Sequence, residues 1–211
     1  MTCGLILAAG ESRRMGSPKA LLEFQGETFL DRLIGLFSRR CAPVIAVLGA
    51  QQETVRAGLR HAGQAIVVQN PDFHLGQLTS MQCGLRAVPA DADGVLFTLV
   101  DHPAVALATI NALLDCDAPA PLRIPRFDGR RGHPIRISRS LIPEFLALPA
   151  ACSAKDVITQ HAREIAYIDV DDPGILTDVD DPAAYQRLIT EPRLTEPRLT
   201  EPRPSGSGSL P

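Results

Sequence analysis

The chain has 211 residues, of which 45% are hydrophobic and 21% charged, and its formal net charge is −3. This composition is typical of a globular protein that buries a core without disulfide or metal staples. The small negative charge argues against a protein that binds bulk nucleic acid or an anionic membrane surface, and no apolar run reaches the roughly 18 residues that span a bilayer.

The cysteines and the first ten residues indicate the cellular compartment. Five cysteines are scattered along the chain without a Cys-x-x-Cys pair. Residues 1–10 have no positively charged segment before their apolar run, and they lead directly into a glycine. We therefore expect reduced thiols, no signal peptide and a cytoplasmic location.

Short apolar runs alternate with amphipathic segments along most of the chain, and this alternation predicts strands and helices in turn. The predicted strands are 4–10, 43–49, 64–69, 94–100, 121–127, 131–138 and 164–170. The predicted helices are 28–40, 51–61, 78–87, 105–114, 140–148, 153–161 and 181–189. Thr28 and Asp181 are suited to cap the first and the last helix.

The order of these elements predicts the fold class. Strands and helices alternate through about the first 115 residues, and this alternation indicates a mostly parallel sheet that is covered on both faces. Asp128-Gly129 lies between two extended runs and predicts a hairpin, which adds an antiparallel element.

The chain changes character after about residue 189. Leu-Thr-Glu-Pro-Arg occurs at 194–198 and again at 199–203, and proline every five residues excludes a helix. We predict one domain over 1–189 and a disordered, proline-rich tail over 190–211. The tail is either the product of a repeat expansion or a segment that binds a partner.

The loop after the first predicted strand carries the most chemistry. Leu7-Ala-Ala-Gly10 leads into a loop with Arg13, Arg14 and Lys19. In parallel sheets such loops lie at the carboxyl edge, where ligands bind. Glycine lets backbone N–H groups approach an anion, and the cations can neutralise it. The alternative is a plain connection with exposed cations.

Acidic residues follow the fourth predicted strand and recur near the C-terminus. Asp101 stands at the end of an apolar run, where a carboxylate can hold Mg²⁺ or cap the next helix. Asp178 and Asp180 occupy alternate positions of an extended segment and share a face. We expect Asp178, rather than Asp180, to be the second metal ligand.

Four motifs, in this order, resemble the nucleotidyltransferases with a Rossmann-like sheet, and within them the branch that attaches a nucleotide to molybdopterin. The motifs are Leu7–Lys19, Asp101-His102-Pro103, Gly132-His133-Pro134 and Thr177–Pro182. The resemblance extends to about residue 189. It implies a Rossmann-like three-layer α/β fold and a Mg²⁺-dependent transfer of CMP from CTP to the terminal phosphate of molybdopterin, with release of pyrophosphate.

The resemblance also implies roles for individual residues. Arg14 would face the outer phosphates, Lys19 would stabilise charge at the α-phosphate, and Asp101 would act with them in catalysis. The implied nucleotide-binding residues are Leu7, Ala8, Ala9, Gly10, Arg14, Lys19, Thr79 and Ser80. The implied acceptor-binding residues are His133 and Pro134, and the implied metal ligands are Asp101 and Asp178.

Several alternatives remain open. The pairing of Ala8-Ala9-Gly10 with Leu78-Thr79-Ser80 resembles the members that use CTP, whereas the same fold can use GTP or another triphosphate with a different acceptor. A non-catalytic chaperone could instead deliver molybdenum cofactor to a client molybdoenzyme. Without the resemblance, Thr79 and Ser80 would simply begin a helix, and His133 would form a structural hydrogen bond.

One segment departs from the family pattern. The family usually carries a Gly-Asp-x-Gly-Ala-Arg-like segment after the helix that follows Gly-His-Pro, but here 150–155 reads Ala-Ala-Cys-Ser-Ala-Lys. The missing aspartate puts the acceptor in doubt more than the nucleotide.

Overall fold

The structure is a computed structural model that describes residues 1–190. The predicted disordered tail therefore lies outside the described residues except for Thr190. The strands are β1 Cys3–Ala8, β2 Glu23–Phe24, β3 Glu27–Thr28, β4 Val44–Leu48, β5 Ile66–Gln69, β6 Gly94–Leu99, β7 Leu122–Phe127, β8 Arg130–Arg131, β9 Ile135–Ser138 and β10 Ile165–Asp169. The α-helices are α1 Phe29–Phe37, α2 Gln52–Gly58, α3 Gln77–Arg86, α4 Leu107–Asp115, α5 Ile142–Ala147, α6 Ala154–Gln160 and α7 Pro182–Thr190.

Eight of the strands form one sheet in the order β10-β7-β9-β6-β1-β4-β5, with β8 paired to β7. The pairs β1·β4, β1·β6, β4·β5 and β7·β10 are parallel, whereas β9 runs antiparallel to both β6 and β7. All residues of β1 and β4 are buried, because helices cover both faces of the central strands. The predicted α/β fold with a mostly parallel sheet is confirmed.

Alternate residues of β1 point into two different cores. Ile6 and Ala8 belong to the core formed with α1, α4 and α7, while Leu5 and Leu7 belong to the core formed with α3, α5 and α6. This division follows from the two-residue period of a strand. The result is three layers, with helices on both sides of the sheet.

The hairpin at Asp128-Gly129 is present, but its second arm differs from the prediction. The predicted strand 131–138 is split into β8, which pairs with the end of β7, and β9, which lies between β6 and β7. Pro134 has no N–H to donate to a strand ladder, and the His133 N–H donates to the Ile175 carbonyl at 3.1 Å. The break therefore coincides with the Gly-His-Pro motif.

The predicted helix caps are present. The Thr28 hydroxyl accepts a hydrogen bond from the Asp31 N–H at 3.1 Å, and the Asp181 carboxylate accepts one from the Ala184 N–H at 2.7 Å. Helix α7 includes Thr190, one residue beyond the predicted domain boundary. Over residues 1–190, none of the helices combines the length and the apolar character that crossing a bilayer would require.

Candidate active site

A cavity of about 400 Å³ opens at the carboxyl edge of β1, β4 and β6. This is the edge at which open parallel sheets bind ligands. Of the predicted nucleotide-binding and catalytic residues, those that line it are Leu7, Ala8, Ala9, Gly10, Arg14, Lys19, Ser80 and Asp101. The fold thus brings together residues that are up to 94 positions apart in sequence, from Leu7 to Asp101.

The loop after β1 is shaped by its own hydrogen bonds. The Ser12 hydroxyl accepts a hydrogen bond from the Lys19 backbone N–H at 2.9 Å, and the Ser12 carbonyl accepts one from the Met15 N–H at 2.9 Å. Ser12 and Gly16 both have positive φ, 52° and 69°. Two such residues turn the chain back sharply, so the loop returns Lys19 to the sheet edge.

Lys19 is held between two carboxylates. Its Nζ donates to Asp180 Oδ1 at 2.6 Å and to Asp101 Oδ2 at 3.4 Å, and only 14% of its side chain is exposed. The pairing lowers the pKa of Asp180. This lysine is therefore positioned before any substrate binds, which reduces the conformational entropy lost on binding.

Asp101 presents its two carboxylate oxygens to different surroundings. Oδ2 faces Lys19, whereas Oδ1 is buried without a hydrogen-bond partner among the described residues. Burial raises the pKa of Asp101, and the charge of Lys19 opposes that rise. A buried, unpaired carboxylate oxygen is costly unless a cation or water satisfies it, so Oδ1 fits a metal ligand.

Asp178, the predicted second metal ligand, lies beside Asp101. Asp101, His102 and Asp178 each offer one ligand atom, and the three atoms lie within 4.8 Å of one another. Burial, followed by the charges of Asp101 and Asp180, raises the pKa of Asp178 to about 6. Asp180 instead pairs with Lys19, which favours Asp178 as the ligand.

Two close backbone approaches bring Asp178 to this position. A Cβ on Gly174 would lie 2.2 Å from the Ala104 carbonyl oxygen, and a Cβ on Gly132 would lie 2.2 Å from that of Ile175. The Val179 N–H also donates to the Asp101 carbonyl at 3.0 Å. Glycine at these two positions lets the segment before α7 dock against the loop after β6 and against the loop between β8 and β9.

We expect Gly174→Ala to destabilise the protein by about 1–3 kcal/mol, because the new methyl group would collide with rigid backbone. Gly35→Ala in α1 is the matched control, since a Cβ there meets nothing within 4 Å and alanine favours the helix. Thermal unfolding should show a lower Tm for the first variant and an unchanged or higher Tm for the second. Equal Tm values for Gly174→Ala and the unmodified chain would contradict the assigned docking.

The structure places His133 next to His102 rather than among the residues that line the cavity. Their ring centroids are 4.6 Å apart with a tilt of 32°, and the His133 ring contacts Phe97 edge-on. Burial lowers the pKa of His102 to about 4 and that of His133 to about 3. Both imidazoles are therefore neutral near pH 7. The acceptor-binding roles of His133 and Pro134 stay predictions.

Thr79 and Ser80 occupy different positions in the first turn of α3. The Asn70 amide donates to Thr79 Oγ1 at 3.0 Å and to Ser80 Oγ at 2.9 Å. The Thr79 hydroxyl contacts the carbonyls of Asp72 and Gly76. Ser80 lines the cavity, whereas Thr79 is absent from its lining. Asn70 thus links the Thr79 hydroxyl to that of Ser80, which lines the cavity.

Sequence reasoning missed three residues that organise the site. His102 follows Asp101 directly, and that adjacency was the available signal. Asn70 follows β5 and orients the start of α3. Asp172, in the segment before α7, is buried and accepts hydrogen bonds from the Thr109 hydroxyl at 2.6 Å and the Ala106 N–H at 2.9 Å. It thereby fixes the start of α4 to the C-terminal segment.

With this geometry in place, a family comparison decides the class of the protein. Residues 4–165 match the model of the MobA-like NTP transferase domain. The chain belongs to this family. Like its relatives, this MobA-like NTP transferase is a nucleotidyltransferase.

Two relatives of this MobA-like chain are named for the transfer of different nucleotides. The molybdenum cofactor cytidylyltransferase of Escherichia coli is 24% identical over 178 residues, which are 84% of this chain and 90% of the relative. A probable molybdenum cofactor guanylyltransferase of Mycobacterium ulcerans is 31% identical over 186 residues, 85% and 89% of the two chains. The family is thereby shown, while the choice between cytidine and guanosine is not.

A solved relative shares the fold of this MobA-like chain. The crystal structure of Rv0371c from Mycobacterium tuberculosis superposes with a TM-score of 0.79 at 27% identity and covers 90% of this chain and 99% of that one. The same protein is also known as a complex with manganese, which superposes with a TM-score of 0.70. Nucleotidyltransferases of this family typically use divalent metals.

Proposed function

We propose that this MobA-like NTP transferase transfers CMP from CTP to the terminal phosphate of molybdopterin and releases pyrophosphate. The observation that carries this proposal is the meeting of the loop after β1, Lys19 and Asp101 in one cavity at the sheet edge. Such a site supplies what attack on a phosphate needs, namely backbone donors, a cation and a metal carboxylate in fixed positions.

The position of each residue in the cavity gives it a separate role in the proposed transfer. Gly10 and its neighbours hold the triphosphate through backbone N–H groups, and Arg14 pairs with the outer phosphates. A phosphate oxygen of the acceptor attacks the α-phosphorus, and the bond from this phosphorus to the bridging oxygen of the β-phosphate breaks. Lys19 stabilises the charge that develops at the α-phosphate. No base is required, because the acceptor phosphate is already ionised near neutral pH.

Asp101 and Asp178 are the proposed ligands of Mg²⁺. The unpartnered Oδ1 of Asp101 and the neighbouring Asp178 carboxylate fit a hard divalent cation. When bound, the ion would neutralise phosphate charge and favour departure of pyrophosphate. The five cysteines are free thiols, which suits the cytoplasmic location that we propose.

The test is an assay of pyrophosphate release with purified protein, CTP, Mg²⁺ and molybdopterin. We expect release that depends on all three additions, together with formation of molybdopterin cytosine dinucleotide. Release with GTP instead would favour the related guanylyl transfer, which the name of the mycobacterial relative supports. Binding of finished molybdenum cofactor without pyrophosphate release would favour a chaperone that serves a client molybdoenzyme.

We expect the tail to be dispensable for this activity. The repeats of 190–211 lack the apolar residues that a packed core requires. A chain truncated after Thr190, which ends α7, should match the full-length chain in Tm and in rate of pyrophosphate release. A large loss of either would show that the tail contacts the domain.

A further inference from the structure

His102 is buried next to Asp101 without taking part in the proposed transfer. It is 8% exposed, and its Nε2 lies 3.8 Å from Asp101 Oδ1, too far for a hydrogen bond. Asp101 Oδ1, the oxygen next to His102 Nε2, is buried without a hydrogen-bond partner among the described residues. A buried carboxylate oxygen without a partner is costly, so a cation in this place would relieve a penalty.

The His102 ring is held in a fixed orientation. The His133 ring packs on it at a centroid distance of 4.6 Å, and His133 is itself braced by Phe97. The backbone at the preceding residue is fixed too, since the Val179 N–H donates to the Asp101 carbonyl. A ring that is stacked and buried in this way loses little freedom when it binds a ligand.

The distances match a shared cation. Ligand atoms about 2.1 Å from one metal ion are about 3.0–4.2 Å from each other. The 3.8 Å between His102 Nε2 and Asp101 Oδ1 falls in this range. Asp101, His102 and Asp178 each offer one ligand atom within 4.8 Å of the other two, so a small movement of the exposed Asp178 side chain completes the set. Lys19 occupies only Asp101 Oδ2 and leaves Oδ1 available.

We infer that His102 is a third metal ligand and makes this a mixed nitrogen and oxygen site, which binds a divalent transition metal of the Mn²⁺, Co²⁺ or Zn²⁺ class more tightly than Mg²⁺. Imidazole nitrogen favours these ions, whereas Mg²⁺ prefers oxygen ligands alone. The inference deepens the proposed function and rests on it for the roles of Asp101 and Asp178. It adds that the protein binds this metal before the nucleotide arrives.

The first experiment uses the full chain without nucleotide or acceptor. Mn²⁺ is bound to the protein, and pulsed electron paramagnetic resonance is used to look for the ¹⁴N coupling of a coordinated imidazole. We expect that coupling in the unmodified protein and its loss in His102→Gln. Absence of nitrogen coupling in the unmodified protein overturns the inference, whether or not the variant folds.

The second experiment compares affinities by calorimetry with Co²⁺ and with Mg²⁺. His102→Gln should bind Co²⁺ about 10- to 100-fold more weakly while its affinity for Mg²⁺ changes far less. His74→Gln, which removes an exposed histidine outside the cluster, should behave like the unmodified chain. Equal Co²⁺ affinity in His102→Gln and the unmodified chain overturns the inference. Because no turnover is measured, failure to use CTP would leave these results intact and would count only against the proposed function.

Discussion

Asp101→Asn should reduce the rate of CMP transfer by about 10³-fold or more. The substitution keeps the shape of the side chain but removes the charge that faces Lys19 and the predicted metal position. Loss of a metal contact removes several kcal/mol of transition-state stabilisation, and each 1.36 kcal/mol corresponds to about a factor of ten in rate. Initial rates of pyrophosphate release at several Mg²⁺ concentrations measure the effect.

The same substitution should leave the fold intact, because burial already disfavours the charged form of Asp101 and raises its pKa. A neutral amide removes that desolvation cost, and it also removes the ion pair with Lys19. We therefore expect a Tm close to that of the unmodified chain. A large fall in Tm would assign Asp101 a structural role instead.

Asp169→Asn is the matched control for the loss of a carboxylate. Asp169 lies on the edge strand β10, where it pairs with Arg126 at 2.6 Å and is 71% exposed, and it neither lines the cavity nor belongs to the Asp101, His102 and Asp178 cluster. Exposed ion pairs of this kind contribute little to stability, so both rate and Tm should be unchanged. If Asp101→Asn retained a near-normal rate at limiting Mg²⁺, Asp101 would not be a metal ligand.

The central strands were predictable from sequence because they are buried on both faces. β1, β4 and β6 are continuous apolar runs bounded by polar turns, a pattern that requires no knowledge of distant contacts. The split of the strand 131–138 was not predictable in this way. It depends on a hydrogen bond from His133 to Ile175, a contact between residues 42 positions apart.

The candidate site also has a part that was predictable from local sequence and a part that was not. The loop after β1 and Asp101 were found because the end of a buried strand and a short motif mark them locally. The pairing of Lys19 with Asp180 spans 161 positions, and no local pattern encodes it. The stacking of His102 on His133 likewise depends on β9 lying beside β6. Local sequence indicated which residues carry chemistry, while the tertiary fold determines which of them meet.

We expect CTP to exceed GTP in kcat/KM by about 10⁴-fold, since a site built on buried hydrogen bonds rejects a ligand that leaves them unpaired. The prediction rests on Ala8-Ala9-Gly10 and Leu78-Thr79-Ser80, which resemble the members of the family that use CTP. Ala9 and Ser80 both line the cavity, and the Asn70 amide orients the hydroxyls of Thr79 and Ser80. Steady-state kinetics with each triphosphate measure the ratio.

Exchanging these side chains should move the preference toward GTP. The triple variant Ala9→Gly, Thr79→Ala, Ser80→Gly removes the small side chain at the end of β1 and both hydroxyls that Asn70 orients. Thr79→Ala alone is the informative control: Thr79 does not line the cavity, so its loss should lower the CTP preference less than Ser80→Gly does. The Mg²⁺ dependence should stay the same in every variant, because Asp101 and Asp178 are unchanged. Equal use of CTP and GTP by the unmodified protein would refute the proposed preference for cytosine. It would not contradict the nucleotidyltransferase activity, since the carboxylates and Lys19 act on phosphates that both nucleotides share.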